Sequence, residues 1–459
     1  MILDEKIFKE LEKNYEKDPK NKVIENAISN MGIMEASLNK NIINKHDFIF
    51  SNEVETKDVT NQRKTGRCWM FAGLNMIRMH IAKKLNMEKF ELSESFLYFY
   101  DNMEKANLFL QRVIDTKDLN IKDRKVEDVF YSTPEDGGYF EFFYYLIKKY
   151  GIVPKTNMGE LFHTEESSFM FYTLENALKK IAMDIRATDD EKEIEILRKK
   201  GLSYAYNIFV KSIGKPVESF DFKYYDKDNS YKIEKDMTPK KFFDEYVGDF
   251  FDGKIKLLND PRHPYNRILV DKNAKNAVDL PELIGINVDM DTMSKSAQKS
   301  IKNNETMWFA CDVDIDKDRE SGVMDENLFN FDQTFTNFDK MTKAQRIDSR
   351  YSSACHAMNL TGFDKKDKDV KFWKIENSWG DDDGKDGYFS MTDKWFRENT
   401  FELIVDKKFL TKKVMEAFNK EKIYYDEFDP MYKMLKNIKY NLWKNKFTKL
   451  GLIQIKNPA

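Results

Sequence analysis

The sequence predicts an α+β fold in which helices dominate the first part of the chain and short strands dominate the last. In the first part, apolar residues recur at spacings of three and four, as in the stripe of Val23, Ile24, Ala27, Ile28 and Met31. From about residue 306 the pattern changes to short aromatic and apolar segments bounded by Asp, Gly and Lys, which is typical of an antiparallel sheet. The 459 residues are 41% hydrophobic and 34% charged, which indicates a sizeable core with a well solvated surface.

Helices are predicted along the first 212 residues. Residues 5–38 read as a helical arm that is broken at Pro19. Residues 68–85, CWMFAGLNMIRMHIAKKL, are apolar on nearly every face, which predicts a buried helix. Another helix is expected to begin after Ser93, a favourable N-cap, and helical periodicity returns over residues 165–212.

Strand patterns begin after these helices. Residues 220–224 and 231–233 alternate between aromatic or apolar and polar residues on either side of a DKDN turn, which predicts a β-hairpin. Thr238 followed by Pro239 predicts the start of a short helix, with threonine as the N-cap. The remaining strands are expected in TMWFACDVD, CHAMNLTGFD, FWKIENSW and GYFSMT.

These patterns divide the chain into five expected regions. They are an N-terminal helical arm (1–60), a helical half (61–163), a mostly helical insertion with a hairpin (164–300), an antiparallel β half (301–431) and a basic C-terminal extension (432–459).

Charge and cysteine usage exclude several classes of protein. The net charge is −3, from 76 basic and 79 acidic residues, so no field of one sign points to nucleic acid or to an anionic membrane. The first residues lack the build of a secretion signal, and no apolar run approaches the roughly 18 residues that span a bilayer. Three cysteines in so long a chain argue against a disulfide framework and favour a reducing cytoplasm.

Cys68 occupies a position suited to a nucleophile. It follows the polar, glycine-containing turn NQRKTGR and opens the predicted buried helix. A helix N-terminus carries about half a positive charge and unpaired N–H groups, which favour a thiolate and can hold an oxyanion. Gln62 could supply a second oxyanion donor from its side-chain amide, and Arg67 adds local positive charge. Taken alone, a free cysteine is more often a small buried hydrophobe.

His356 and Asn377 are candidate partners for that thiol. His356 heads one predicted strand and Asn377 ends the next, 377 − 356 = 21 residues later. Two strands with such a connection can lie side by side, so that Asn377 accepts a hydrogen bond from one imidazole nitrogen and the other faces Cys68. Trp379 could cover that bond from water. Each residue alone has a simpler interpretation, as a structural histidine or as part of an Asn-Ser-Trp-Gly turn.

Taken in order, the phrases QRKTGRCW, CHAMNLTGF, WKIENSWG and GYF resemble the papain-like cysteine peptidases. The phrases GRCW, MWFACDV and WKIENSWG resemble most the bleomycin hydrolase and aminopeptidase C branch. The interval from Cys68 to His356, 356 − 68 = 288 residues, also fits that branch, because secreted relatives have about half of it. The resemblance extends from the first helices to Asp429-Pro430-Met431.

The resemblance implies a papain-like fold with a large, mainly helical insertion and a thiol-dependent peptidase, in particular an aminopeptidase, that needs no cofactor and no metal. It implies that Cys68 attacks the peptide carbonyl while His356 takes and later returns the proton. Asn377 would orient His356, and Gln62 with the Cys68 N–H would bind the oxyanion.

The resemblance also implies how substrate is held. Gly137 and Gly138, in EDGGYF, would hold the substrate backbone because glycine allows close approach, with Trp379 also at the substrate. The alternative for the glycine pair is a simple tight turn. The family further implies a homohexamer whose active sites face its interior, and a chain end that lies in the cleft, where its carboxylate meets the substrate amine.

The extension 432–459 departs from the family, whose members stop a few residues after Asp-Pro-Met. It holds seven lysines and no acidic residue, with apolar residues at roughly helical spacing. Three interpretations stay open: a helix docked on the surface, a tail trimmed by the active site, or a basic arm for nucleic acid or another acidic partner. If the extension displaces the terminus that anchors the substrate amine, endopeptidase activity is an alternative to an aminopeptidase. A catalytically weak binding assembly is a separate alternative.

The alternating acids Asp312, Asp314, Asp316 and Asp318 suggest calcium at first sight. In a calcium loop starting at Asp312 the sixth and twelfth positions would be lysine and valine, where glycine and glutamate are required. A solvated acidic loop is therefore expected, without a metal. Cys355 is expected to point into the core, away from the face of its neighbour His356.

Overall fold

The computed structural model describes residues 1–336 and 339–431. The three interpretations of the extension 432–459 lie outside the described residues.

The helices are α1 (Glu5–Glu16), α2 (Lys20–Ser37), α3 (Lys40–Ile43), α4 (Cys68–Lys84), α5 (Glu94–Asp115), α6 (Arg124–Tyr131), α7 (Phe140–Tyr150), α8 (Phe162–Glu165), α9 (Ser168–Ile185), α10 (Glu191–Ser212), α11 (Pro239–Tyr246), α12 (Met290–Lys302), α13 (Phe331–Thr334), α14 (Lys343–Asp348), α15 (Asp393–Asn399) and α16 (Lys412–Met415).

The strands are β1 (Asn52–Glu53), β2 (Phe220–Tyr225), β3 (Tyr231–Met237), β4 (Lys254–Leu258), β5 (Arg267–Asp271), β6 (Leu283–Asn287), β7 (Met307–Cys311), β8 (Lys317–Asp318), β9 (Val323–Met324), β10 (His356–Lys366), β11 (Asp369–Glu376), β12 (Tyr388–Thr392), β13 (Thr400–Asp406) and β14 (Ile423–Tyr424).

The N-terminal arm breaks at Pro19 as predicted, between α1 and α2. Asp4 caps α1, where its Oδ1 atom accepts a hydrogen bond of 2.9 Å from the Ile7 N–H. Helix α1 buries no residue, and α2 buries only Ser37, whose hydroxyl donates to Thr334 Oγ1 at 3.0 Å. The apolar side chains of this arm therefore face outward from the chain.

The two central helices of the helical half are as predicted. Helix α4 begins at Cys68 and is buried over most of its length, which explains why its sequence shows no polar face. Helix α5 follows Ser93, whose Oγ atom accepts a 3.1 Å hydrogen bond from the Phe96 N–H. Its inner face packs on α4, α7 and α9 in one cluster of buried aromatic and aliphatic side chains.

The predicted hairpin is formed by β2 and β3, which pair antiparallel. The predicted short helix follows as α11, where Thr238 Oγ1 accepts a 3.2 Å hydrogen bond from the Lys241 N–H. Phe222 of the hairpin and Phe242 of α11 meet edge to face at 5.4 Å, which joins both elements to the helical core.

The main sheet runs in the order β14, β5, β6, β4, β13, β7, β10, β11, β12, β9, β8, and β1 pairs with the second half of β10. The four strand phrases named in the sequence correspond to β7, β10, β11 and β12. Most neighbours are antiparallel, as expected, but β4–β6, β5–β14 and β9–β12 are parallel pairs.

Strands β4, β5 and β6 were not expected from the sequence, which indicated mostly helix with a hairpin over residues 164–300. Each has five residues, and the three are largely buried rather than alternating in burial. A short continuous apolar run has no period of its own, and these become strands because β4 pairs with β13 of the last sheet region. The boundaries of the five regions stay predictions.

Helix α4 lies against the sheet and joins the two parts of the fold. The Trp308 indole N–H on β7 donates to the Trp69 carbonyl at 3.0 Å. Arg78 on α4 and Glu376 on β11 form a buried ion pair of 2.6 Å. Removing one partner of such a pair leaves an uncompensated buried charge. Together the two contacts hold α4 in a defined place on the sheet, one near its start and one in its second half. Within the described ranges, no helix has the length and hydropathy needed to cross a membrane.

Candidate active site

Cys68 is the first residue of α4, and its preceding residue, Arg67, is the N-cap. The cysteine is 9% exposed. The Arg67 side chain turns into the protein interior, where its guanidinium pairs with Glu160 at 3.0 Å. The positive charge that the sequence placed beside the thiol is therefore balanced by a carboxylate, and the helix N-terminus is the remaining local source of positive potential.

The surroundings of the Cys68 thiol have opposing effects on its ionisation. Burial raises the pKa of the thiol to about 11, while the backbone N–H groups of Ala357 and Trp69 favour the thiolate and lower that pKa. Ala357 follows His356 directly, so the thiol of α4 lies at the start of β10. The helix and the sheet meet at this point.

His356 begins β10, and Asn377 directly follows β11. Because β10 and β11 pair antiparallel, the start of one and the end of the other lie together. The His356 Nε2 atom is 2.9 Å from Asn377 Oδ1, and both side chains are buried. The same oxygen accepts a 2.8 Å hydrogen bond from the Ser378 N–H, which orients the amide. With Nε2 engaged by an acceptor, Nδ1 is the nitrogen left for the thiol.

Burial also acts on the histidine. It lowers the pKa of His356 to about 4, and the hydrogen bond to Asn377 opposes that shift. Burial therefore disfavours charge on Cys68 alone and on His356 alone. Two opposite charges that form together on neighbouring groups attract each other, which offsets part of such a desolvation cost.

Trp379 covers the imidazole. Its ring stacks on His356 with a centroid separation of 4.8 Å and an interplanar angle of 27°. Phe389 meets the indole edge to face at 5.6 Å, and the cationic groups of Lys317 and Arg319 lie 4.9 and 4.7 Å from the ring centroid. An indole in this position shields the His356–Asn377 bond from water and borders the space beside the histidine.

Gln62 is buried in the loop that leads to Cys68. Its Nε2 atom donates to the Thr65 carbonyl at 2.5 Å, and its Oε1 atom accepts from the Ser378 hydroxyl at 2.7 Å. The amide orientation is therefore set from both ends. A primary amide has two N–H donors, so one is left after the bond to Thr65. Ser378 thus links Gln62 to Asn377. The Asn-Ser-Trp-Gly pattern in the sequence indicated a turn but not this connection.

The glycine segment 135–138 lies beside the same loop. The Gly137 N–H donates to the Gly66 carbonyl at 3.1 Å, and the Gly66 N–H donates to Asp136 Oδ2 at 2.8 Å. Gly137 has a φ of +102°, which favours glycine, and a Cβ atom on Gly138 would lie 2.6 Å from the Trp69 ring. Both glycines are therefore required by the backbone path and by close packing, and Asp136 is a further site residue that sequence reasoning missed.

A cavity of about 790 Å³ opens on this segment. Gly137 and Gly138 form part of its wall, together with α5, α6 and the loop after β5. Apolar side chains such as Phe109 and Val129 line it together with charged residues, among them Lys105 and Asp271. Cys68, His356 and Asn377 are not among its lining residues, so the glycine segment is its connection to the candidate site. A concave surface with mixed apolar and charged walls is suited to a peptide segment.

A second group of residues looks catalytic without access to solvent. His46 Nδ1 lies 2.8 Å from Ser390 Oγ, and His46 Nε2 lies 3.4 Å from Asp325 Oδ2. These are the residue types of a serine hydrolase triad, but Ser390 is only 1% exposed. No substrate reaches this serine, so the group fastens the N-terminal arm to β12.

The acidic loop differs from the expectation in one respect. Asp312 is fully buried rather than solvated, and it accepts hydrogen bonds from the Ser352 hydroxyl at 2.8 Å and the Cys355 thiol at 3.4 Å. Cys355 is half-buried and packs on the edge of the core instead of lying within it. Ligand atoms of Asp312, Asp314 and Cys355 lie within 4.8 Å of one another, an arrangement that these hydrogen bonds explain.

Comparison with known proteins gives consistent relatives. The sequence profile of the "Peptidase C1-like family" matches residues 2–432. The chain is 37% identical over 430 residues to aminopeptidase C of Listeria monocytogenes, covering 92% of this chain and 98% of that protein. It is 36% identical to aminopeptidase E of Lactobacillus helveticus, covering 89% and 94% respectively. The crystal structure of PepW from Lactobacillus rhamnosis superposes with a TM-score of 0.90 at 33% identity, covering 94% of this chain and 99% of that one.

We expect the free energy of unfolding to fall as the pH is lowered from 6.5 towards 4. In this window the unfolded chain protonates His356, whose ordinary pKa is 6.5, whereas burial keeps the folded pKa at about 4. Protonation therefore favours the unfolded state, by about 2 kcal/mol at pH 5 since each unit is worth about 1.4 kcal/mol. Urea denaturation of the wild type and of His356→Gln at pH 6.5 and at pH 5 measures this contribution to the free energy of unfolding. If the free energy of unfolding of the wild type falls with pH no more steeply than that of the variant, the lowered pKa of His356 is contradicted.

Proposed function

The chain belongs to the peptidase C1-like family, and from this premise we propose that it is a thiol-dependent aminopeptidase in which Cys68, His356 and Asn377 carry the chemistry. The observation that best supports the proposal is the 2.9 Å contact between His356 Nε2 and Asn377 Oδ1 at the start of β10, where the Ala357 N–H meets the Cys68 thiol. The predicted papain-like α+β fold agrees with the family match and with the PepW structure.

In the first half of the reaction the sulfur of Cys68 attacks the carbonyl carbon of the first peptide bond. His356 Nδ1 takes the thiol proton as the carbon–sulfur bond forms, so that an imidazolium faces the tetrahedral oxyanion intermediate. The intermediate collapses by breaking its carbon–nitrogen bond, and the imidazolium gives its proton to the departing amine. The amino-terminal residue remains as a thioester on Cys68.

In the second half a water molecule attacks the thioester while His356 removes its proton. The carbon–sulfur bond breaks, the thiol is regenerated, and the amino acid leaves with a new carboxyl group. Asn377 acts throughout by holding His356 in the tautomer and orientation that direct Nδ1 towards the sulfur. Trp379 shields the His356–Asn377 hydrogen bond from water. Because Trp379 stacks on His356, and His356 must reach the departing nitrogen, the indole also borders the leaving group.

The oxyanion is stabilised by donors that are in place before the substrate arrives. The free N–H of the Gln62 amide and the backbone N–H of Cys68 are the proposed pair. The contacts of Gln62 with Thr65 and Ser378 support this role, because an amide that is held at both ends needs no reorganisation during the reaction. Gly137 and Gly138 are proposed to hold the substrate backbone.

Replacing the nucleophile is the direct test of this mechanism. We expect Cys68→Ala to lose at least about 10³-fold in kcat while remaining folded, because no other group forms the thioester. Hydrolysis of a fluorogenic aminoacyl amide and the thermal unfolding midpoint measure the two effects. Cys355→Ser is the matched control, since its hydroxyl keeps a donor for Asp312. Full activity of Cys68→Ala in pure material would overturn the active-site assignment.

Selectivity for a free amino terminus separates an aminopeptidase from an endopeptidase. We expect the wild type to cleave a fluorogenic aminoacyl amide rapidly and its N-acetylated twin at least about 100-fold more slowly. Acetylation removes the positive charge of the substrate's α-amino group, which a carboxylate in an aminopeptidase cleft would bind. Both substrates are assayed with a thiol reductant. Comparable cleavage of the two would establish an endopeptidase, and cleavage of neither would favour a binding assembly without turnover.

We also propose that the protein self-associates, as the homohexamer implied by the family. The outward-facing arm supports this proposal. Helix α1 has an apolar stripe on which Phe8, Leu11 and Tyr15 are 57%, 55% and 49% exposed, and Val23 of α2 is 70% exposed. A contiguous apolar face of this kind is uncommon on a monomer and typical of an interface.

Light scattering after size-exclusion chromatography tests this proposal. We expect the wild type to have six times the 54.5 kDa mass of one chain. Phe8→Glu with Leu11→Glu places two charges on the stripe and should lower that mass. Ile196→Glu changes an isolated residue on α10 that is 65% exposed and should leave the mass unchanged. A monomeric wild type excludes the assembly.

We further propose a cytoplasmic location, because the three cysteines are all free thiols and a reducing compartment preserves them. Membership of the bleomycin hydrolase branch stays a prediction from the resemblance. Nucleic-acid binding would depend on the seven lysines of residues 432–459, outside the described part of the chain. The net charge of −3 disfavours it, and we do not adopt it.

A further inference from the structure

Lys105 of α5 contacts the glycine segment 135–138 at its backbone carbonyls. Its ammonium nitrogen donates to the Gly137 carbonyl at 2.7 Å and to the Glu135 carbonyl at 2.9 Å. It also pairs with Asp101, one helical turn earlier, at 2.7 Å. An ammonium group carries three N–H donors, and three oxygen atoms surround this one. Lys105 is therefore committed to the protein rather than to a ligand.

The side chain is held firmly in this position. The side chains of Lys105 and Asp101 are 12% and 1% exposed. Asp101 in turn accepts a 2.9 Å hydrogen bond from the buried Asn276 amide, which belongs to the loop after β5. The lysine stem passes over Trp69, with the ammonium 5.6 Å from the ring centroid. The carboxylate that pairs with the ammonium is thus itself held by the loop after β5.

The segment that Lys105 holds has little means of holding itself. Gly137 adopts a positive φ and Gly138 lacks a side chain, so neither restricts its own backbone. Asp136 fastens one end through the Gly66 N–H and the Ser167 hydroxyl, at 2.8 and 2.6 Å. Lys105 fastens the carbonyl side of the same segment. Without it the two glycines would depend on Asp136 and on the hydrogen bond from the Gly137 N–H to the Gly66 carbonyl.

We propose that Lys105 is a positioning residue for substrate binding, which sets the path of residues 135–138 so that Gly138 meets the peptide at a fixed distance from Cys68. Within residues 1–336 and 339–431, Gly138 is in no backbone hydrogen bond, whereas the Glu135 and Gly137 carbonyls are both occupied by Lys105. Gly138 is therefore the residue of this segment that we assign to contact with the substrate backbone. This inference rests on the proposed peptidase function.

A second consequence concerns the charge left behind when the lysine is removed. Asp101 is buried, and burial raises the pKa of its carboxyl group while Lys105 lowers it. A single Lys105 substitution therefore removes the carbonyl contacts and also leaves an unpaired buried acid. The two effects are separated by Asp101→Asn with Lys105→Met, because the asparagine carries no charge and its carbonyl oxygen still accepts from Asn276.

The deciding experiment measures kcat and KM of the double variant for a free-amine peptide substrate. We expect KM to rise roughly 10-fold or more, with a smaller change in kcat, because the reacting groups are intact and the backbone contact is displaced. Alkylation of Cys68 by iodoacetamide, which needs no contact with Gly138, should change less than about 2-fold. A double variant with wild-type KM overturns the proposal, even if Lys105→Met alone fails to fold.

The matched control is the neighbouring pair of Glu104 and Lys149, an ion pair of 2.6 Å between α5 and α7 that does not touch the glycine segment. Glu104→Gln with Lys149→Met removes a comparable pair and should leave KM within about 2-fold of the wild type. An equal rise in KM in this control would assign the effect to general loosening and overturn the proposal. Failure of the peptidase assignment is recognised separately, because the wild-type protein would then not hydrolyse the substrate at all.

Discussion

The start of α4 against the start of β10 is the contact on which the candidate site depends. It brings the Cys68 thiol to the Ala357 N–H, and so beside His356, although 288 residues separate the two along the chain. Two further contacts fix α4 on the sheet. They are the Trp308–Trp69 hydrogen bond and the buried ion pair of Arg78 and Glu376. A shift of α4 along the sheet would break the buried pair, which costs several kcal/mol. The helix is therefore restrained against sliding.

Burial determines the electrostatic character of the site. It raises the pKa of Cys68 and lowers that of His356, so that neither group is favoured as an isolated ion. In the proposed mechanism, proton transfer between them creates both charges together, and Gln62 and the helix N-terminus offer N–H donors to the oxyanion. The same seclusion explains why Arg67 has a carboxylate partner of its own, because an unpaired guanidinium at 1% exposure would be costly.

Three stretches of chain converge on the candidate site, and hydrogen bonds made by side chains connect them. Ser378 joins the loop of Gln62 to the turn that carries Asn377. Asp136 joins Gly66 to the glycine segment, and Lys105 holds that segment from α5. Each link satisfies a polar group that would otherwise be buried without a partner, so geometry and stability have the same origin. The match to the peptidase C1-like family covers residues 2–432, so nearly all of the extension 432–459 lies outside it.

Much of this was readable from the sequence because local patterns report local constraints. The N-caps at Ser93 and Thr238, the hairpin and the four strands around β10 follow from spacing and residue type alone. Cys68, His356 and Asn377 were visible in order along the sequence, but each alone has a simpler interpretation, and their assignment to one site came from the family resemblance and stays a prediction. Strands β4, β5 and β6, the burial of Asp312 and the links through Ser378, Asp136 and Lys105 could not be predicted from the sequence. These depend on partners distant in the chain, such as β13 for β4, and pairing over such separations leaves no period in the sequence. The sequence by itself determined which groups could react, and tertiary packing decided their distances, their burial and the backbone that faces them.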